Sequence, residues 1–178
     1  MILYTIGHGR LGTEPFAELL TLAGVSHLVD VRSVPKSRHN PQFGRTEMEG
    51  WLPDGISYRW DADLGGFRRA AKDSPNTGLR HPSFRGYADH MQTAAFHDAF
   101  DRLLAGSARS PTVIMCSESV WWRCHRRLIA DAATLLGEVE VLHLMHDGTA
   151  RPHQITPPAQ VVDGDVTYPD EEEPGMRW

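Results

Sequence analysis

PTVIMCSESVWWRCHRRLIADAATLLGEVEVLHL, Pro111 to Leu144, holds three signals in succession that decide the fold. Thr112 to Cys116 is an apolar run punctuated by Pro111, the pattern of a buried strand. From Cys124 to Leu136, Leu128, Ile129, Ala132 and Leu136 recur at helical spacing, and Gly137 ends the run. Val139 to Leu144 is apolar again. A strand, a helix that carries the chain back and a further strand make the repeating unit of a parallel sheet.

The same alternation extends upstream. Ile2 to Ile6 reads as a strand, and Thr13-Glu14-Pro15 opens a helix with Thr13 as N-cap, Phe16, Leu19, Leu20 and Ala23 on one face, and Gly24 at its end. His27 to Arg32 carries the next strand. Thr46 and Glu49 have the spacing of a capping box for a short helix, and Pro53-Asp54-Gly55 turns the chain into a strand near Ile56 to Trp60. Asp61 to Pro82 has no periodicity, and loops that long tend to be functional or mobile. Phe96, Ala99, Phe100, Leu103 and Leu104 form a helical stripe, preceded by another helix from about Phe84. The expected fold class is α/β, a single three-layer domain over residues 1–156 with a mainly parallel, Rossmann-like sheet of about five strands. Residues 157–178 are acidic and carry prolines, and read as an extended or disordered tail.

With 178 residues, 40% of them hydrophobic and 23% charged, the chain can bury a real core without a disulfide or structural metal. It has no apolar run near the ~18 residues of a membrane span, and MILYTIGHGR lacks the pattern of a signal peptide. The expectation is a cytoplasmic protein with reduced thiols and no membrane partner. The net charge of −5 is unevenly spread. Arg32 to Asp89 holds 10 Lys and Arg against 7 Asp and Glu, whereas Glu138 to Trp178 holds 2 against 9. An arginine-rich middle suits phosphate or carboxylate ligands.

Ligands of open parallel sheets bind outside the carboxyl ends of the strands. The strand ends here are Gly7-His8, Asp30-Val31-Arg32 and Cys116-Ser117-Glu118, so groups distant in sequence converge on one crevice. GHGRLG, Gly7 to Gly12, imitates a dinucleotide fingerprint, but Pro15 fits only the first turn of a helix and leaves Gly12 ahead of it. No nicotinamide cofactor is expected, and the cofactor is otherwise open. Cys116 and Cys124 have seven residues between them, wider than the two to four of a typical zinc knuckle, and a metal is not the favoured reading. Cys116 and Arg123 resemble a phosphatase loop with one residue too many. Either cysteine also suits simple packing.

Glu118 reads as a general base or as a complement to a helix dipole. His125 and Arg126, cations near a helix start, answer to a ligand or to a carboxylate such as Asp30 or Glu118. Trp121 and Trp122 wall a pocket or cover the core. DVRSVPKSRHNPQFGR, Asp30 to Arg45, combines guanidinium forks with amides and an aromatic ring, as a phosphate- or nucleotide-binding loop does.

TIGHG, LVDVRSVPKSRHNPQF, LGGFRR, DSPNTGLRHPSFRGYADHM and MCSESVWWRCHRRLIAD, in that order, resemble the bacterial and archaeal family called domain of unknown function 488 over about Tyr4 to His143. The resemblance implies a compact intracellular α/β domain. Its cysteine motif is matched by Cys116, Ser117, Glu118, Cys124, His125 and Arg126. It brings no reaction with it. The residues themselves point to a hydrolase or group transferase acting on a phosphate-bearing small ligand, nucleotide or nucleic acid. Its candidate catalytic groups are Glu118, Asp30, His8, His125, Cys116 and Cys124. Arg32, Arg38, Asn40, Gln42, Arg85, Arg123 and Arg126 are the candidate anion-binding groups. The alternatives are a nucleotide- or nucleic-acid-binding module without chemistry and a thiol or metal sensor using both cysteines.

Overall fold

Six strands form the main sheet in the computed structural model, which describes residues 1–170. They are β1 (Ile2–Gly7), β2 (His27–Asp30), β3 (Ser57–Trp60), β4 (Thr112–Cys116), β5 (Glu140–Leu144) and β6 (Ala150–Pro152), in the spatial order β3-β2-β4-β1-β5-β6. The first five are mutually parallel; β6 closes one edge antiparallel to β5. The sheet is therefore one strand larger than the apolar runs predict. β6 is fully exposed and has no buried face to leave a pattern.

Alternate residues of each strand serve two cores, as the two-residue period of a strand requires. Ile6, Leu28, Val113 and Met115 meet α1 (Thr13–Leu22) and α2 (Arg45–Trp51) through Phe16, Leu20 and Met48. Leu3, Val29, Ile114 and Val141 meet α3 (Pro82–His90), α4 (Ala94–Arg109) and α5 (Arg126–Leu135) through Tyr87, Phe100, Leu103 and Ile129. Helices on both faces of a mainly parallel sheet make the three-layer α/β fold. Each of these buried side chains is worth roughly 1.5–3 kcal/mol.

Several helix starts differ from the sequence pattern. α1 begins at Thr13 itself, with Gly12 as N-cap, and α2 begins at Arg45 behind Gly44; neither has a side-chain cap. The Thr46–Glu49 capping box does not form, because Thr46 already lies inside the helix and Glu49 pairs with Arg45 at 3.1 Å. α5 starts at Arg126 rather than Cys124, after a 3-10 turn over Trp121–Arg123. The aperiodic stretch after β3 is pinned by Asp89 of α3. That carboxylate accepts from the Ala71 amide at 2.8 Å, Ser74 Oγ at 2.5 Å and Asn76 Nδ2 at 2.8 Å.

The expected tail needs correction. Beyond Pro157 the chain forms a hairpin of β7 (Gln160–Val162) and β8 (Asp165–Thr167) and then buries Val166 and Tyr168 completely or nearly so. Average composition misleads here, because two deep side chains suffice to dock an otherwise polar segment. The acidic residues 171–173 lie outside the described residues. No described helix is long and apolar enough to cross a membrane.

Candidate active site

β4 lies between β2 and β1, so the carboxyl ends of three adjacent strands meet. Cys116 pairs with Gly7, and Met115 with Asp30. The ladder continues past the strands: the His8 amide donates to the Cys116 carbonyl at 3.0 Å and the Val31 amide to the Met115 carbonyl at 2.9 Å. His8, Asp30-Val31-Arg32 and Cys116 are thereby carried to one edge of the sheet.

Asp30 is fully buried and gripped by Arg32, which donates from Nε at 2.9 Å to Oδ1 and from Nη2 at 2.6 Å to Oδ2. The Tyr58 hydroxyl donates to Oδ2 at 2.6 Å. Burial and the Asp30 charge both push the Tyr58 pKa up, so the phenol stays protonated. Arg32 Nη2 also reaches the Phe43 carbonyl at 2.7 Å, while Nη1 is buried and has no partner among the described residues. A fork occupied on one side and free on the other is a guanidinium held ready for a further acceptor.

His8 is 1% exposed and stacks on Phe43, ring centroids 4.3 Å apart. Its Nδ1–H donates to the Gly9 carbonyl at 2.9 Å, which leaves Nε2 as the lone-pair nitrogen, buried and unpartnered among the described residues. Burial lowers its pKa to about 4, so the imidazole is neutral at physiological pH.

Beside them stand the two thiols and His125. Cys116 Sγ, Cys124 Sγ and a ring nitrogen of His125 lie within 4.8 Å of one another. His125 Nε2–H donates to the Val31 carbonyl at 2.8 Å, so Nδ1 is the nitrogen that faces sulfur, 3.7 Å from Cys124 and 4.0 Å from Cys116. Arg126, 1% exposed, donates from Nε to Cys124 Sγ at 3.3 Å and from Nη2 to the Glu118 carbonyl. Burial opposes a thiolate at Cys124, but the hydrogen bond from Cys116 and the charge of Arg126 outweigh it and hold Cys124 well below the usual thiol range. Cys116 is pushed up by that same hydrogen bond and by burial.

Gly66 explains part of this geometry. A Cβ there would come 2.9 Å from His125 Nδ1, and one on Gly65 would come 2.8 Å from the Ser33 Cα. Ser33 Oγ donates to the Gly66 carbonyl at 2.6 Å, and the Tyr87 ring lies 4.9 Å from that of His125. The next residue, Phe67, is 95% exposed at φ 55°. A left-handed backbone is rare for a bulky side chain.

Behind the thiols runs a buried polar chain. Arg126 Nη1 donates to Thr5 Oγ1 at 3.4 Å, and the Thr5 hydroxyl to His143 Nδ1 at 2.7 Å. His143 Nε2–H then donates to His153 Nδ1 at 3.0 Å, and His153 Nε2–H to Asp131 at 2.7 Å. The acceptor at each step fixes the tautomer of the next ring. Trp121 covers His143 in a stack 4.2 Å deep, which is the core-covering role rather than a pocket wall; Trp122 is 44% exposed.

The remaining candidates lie elsewhere. The Glu118 side chain is exposed and makes no hydrogen bond among the described residues; the centre uses its carbonyl. Arg38 and Arg123 are exposed. The Asn40 backbone N–H donates to Ser37 Oγ at 3.0 Å, while the side chains of Gln42, from Nε2 to the Leu11 carbonyl at 3.2 Å, and Arg85, from Nη2 to the Leu79 carbonyl at 3.0 Å, brace loops. Tyr58, Gly66, His143 and His153 are not legible in the sequence as members of this region. Only the glycine pair inside an aperiodic loop marks any of them.

The family model described as "Domain of unknown function DUF488" matches residues 13–133. No curated protein and no solved structure matches the chain.

Proposed function

We propose that this chain, which belongs to the DUF488 family, is a hydrolase or group transferase acting on a phosphate-bearing substrate, a nucleotide or nucleic acid, at the crevice formed by the ends of β1, β2 and β4. The observation that carries the reading is the pair of buried polar atoms, unpartnered among the described residues, just past the ends of the two strands flanking β4, His8 Nε2 and Arg32 Nη1. Buried polar groups are almost always satisfied, and a pair left open at a sheet's carboxyl edge fits a ligand that completes them. Arg32 then donates to a phosphate oxygen while Asp30 holds its fork in place. Neutral His8 accepts or relays a proton, the role its lone pair suits.

Phe67 supports a nucleotide over a simple phosphate. Its exposed ring stands one residue from the glycine that packs on His125, beside Arg68 and Arg69. An aromatic face near cations stacks on a base for about 1–3 kcal/mol. A cytoplasmic setting accords with two free thiols at the centre.

The test is a panel of inorganic phosphate, nucleoside mono- and triphosphates and a 5′-phosphorylated single-stranded oligonucleotide, assayed for binding by calorimetry and for turnover. His8→Gln should bind the accepted compound normally and lose ~100-fold or more in turnover. Phe67→Ala should weaken the nucleotide and not inorganic phosphate. Failure of every compound to bind, or wild-type turnover by His8→Gln, would overturn the proposal.

A further inference from the structure

We infer that Cys116, Cys124 and His125 form a binding site for one divalent zinc ion, with three protein ligands and a fourth position left to water or a substrate oxygen. A tetrahedral zinc with Zn–S near ~2.3 Å and Zn–N near ~2.0–2.1 Å holds its sulfur and nitrogen ligands about 3.6 Å apart. The distances here, 3.7 Å and 4.0 Å from His125 Nδ1 to the two sulfurs, need to contract by less than ~0.5 Å to meet that spacing. Two sulfurs and an imidazole nitrogen are a donor set that suits zinc rather than calcium or magnesium.

The surroundings are those of a ligand shell. His125 donates its far N–H to a backbone carbonyl, the arrangement that fixes the tautomer and ring orientation of metal-bound histidines. Arg126 donates to Cys124 Sγ and offsets charge on that sulfur. Gly66 keeps the ring clear at Nδ1, where any side chain would collide. No fourth Cys, His, Asp or Glu joins the three among the described residues. A zinc held by three side chains is the catalytic rather than the structural pattern. The spacing that argues against a zinc knuckle in the sequence is no obstacle, because both sulfurs are brought together by the strand end and the turn before α5.

This deepens the proposed function and rests on it only for the ion's being catalytic; binding is tested without substrate. The reduced full chain, freed of metal by chelator dialysis, is titrated with Zn2+ against a chromophoric competitor and separately with Co2+. One equivalent of each should bind, and Co2+ should give thiolate charge-transfer and tetrahedral absorption bands. Cys116→Ser, Cys124→Ser and His125→Gln should each weaken Zn2+ ~100-fold or more, and Gly66→Ala, which only displaces His125, ~10–100-fold. Circular dichroism checks the fold of each variant; where one unfolds, the wild-type Co2+ spectrum and Gly66→Ala decide. A folded, reduced wild type that takes up no equivalent of Zn2+, or a Co2+ spectrum without thiolate bands, overturns the metal site. Either result leaves phosphate binding in the substrate panel unaffected, and failure of every compound in that panel leaves the zinc titration intact.

Discussion

The Tyr168 hydroxyl donates to Oδ2 of Asp131 at 2.8 Å, with both residues fully buried. One oxygen of that carboxylate thus takes the far end of the chain, while the other receives His153 and the Thr156 amide at 2.7 Å and 2.9 Å. α5, which carries Arg126 in its first turn, is tied through Asp131 to the segment after β6.

Tyr168→Phe should therefore cost about 1.5–3 kcal/mol, the usual loss for a buried hydrogen bond to a charged group. Truncation before Pro157 should cost more, because it also removes Val166 and uncovers the core. Thermal melts of both variants check this; an unchanged melting temperature in the truncated chain would show that the hairpin is dispensable.

Asp30→Asn should destabilise by about 3–5 kcal/mol, since it leaves the Arg32 guanidinium charged, 4% exposed and without its counter-charge. Tyr58→Phe removes one donor from a carboxylate that Arg32 still holds, and with Tyr58 only half-buried it should cost about 1.5 kcal/mol, the low end for a hydrogen bond to a charged group. Urea unfolding of the two variants measures the difference. Equal losses would mean that the phenol, not the ion pair, organises the end of β2.

His143 is held neutral by burial, with the Arg126 charge acting in the same direction, and its pKa falls from 6.5 to about 3. The unfolded chain takes up a proton at this ring below pH 6.5 and the folded chain does not. Its contribution to stability is therefore complete above that value and declines as the pH falls toward 3, at up to about 1.4 kcal/mol per unit. Imidazole resonances followed by NMR should show a neutral His143 at pH 5, with the stability of the chain lower at pH 5 than at pH 7. A ring half-protonated at pH 5 contradicts the buried chain of hydrogen bonds.

Gly66→Ala and Gly50→Ala should have opposite signs. Gly66 faces the His125 ring, whereas a Cβ on Gly50, in α2, meets nothing within 4 Å. The first should lower the melting temperature, and the second should gain roughly 0.5–1 kcal/mol from the lower backbone entropy of the unfolded helix position. Two variants that melt alike would remove the steric account of Gly66.

The succession of strands and helices from β1 to β5 along the chain, and the placing of His8, Asp30, Arg32 and Cys116 at strand carboxyl ends, follow from the sequence, because apolar periodicity and the parallel-sheet rule depend only on local pattern and chirality. That β4 lies between β2 and β1, and that β6 and the β7–β8 hairpin exist, do not. Nor do the partners these side chains take. That Arg32 turns back on Asp30, that Glu118 offers its carbonyl and keeps its carboxylate in solvent, and that His125 is clamped by Val31 from across the sheet are choices among many acceptors. Only the packed chain restricts them. The same holds for Tyr168. A polar, proline-bearing segment shows no core pattern, and the groups that hold Tyr168, Asn76 Oδ1 at its backbone amide and Asp131 at its hydroxyl, lie 92 and 37 positions away. Long-range hydrogen bonds of this kind leave no period in the sequence, so tertiary structure alone decides them.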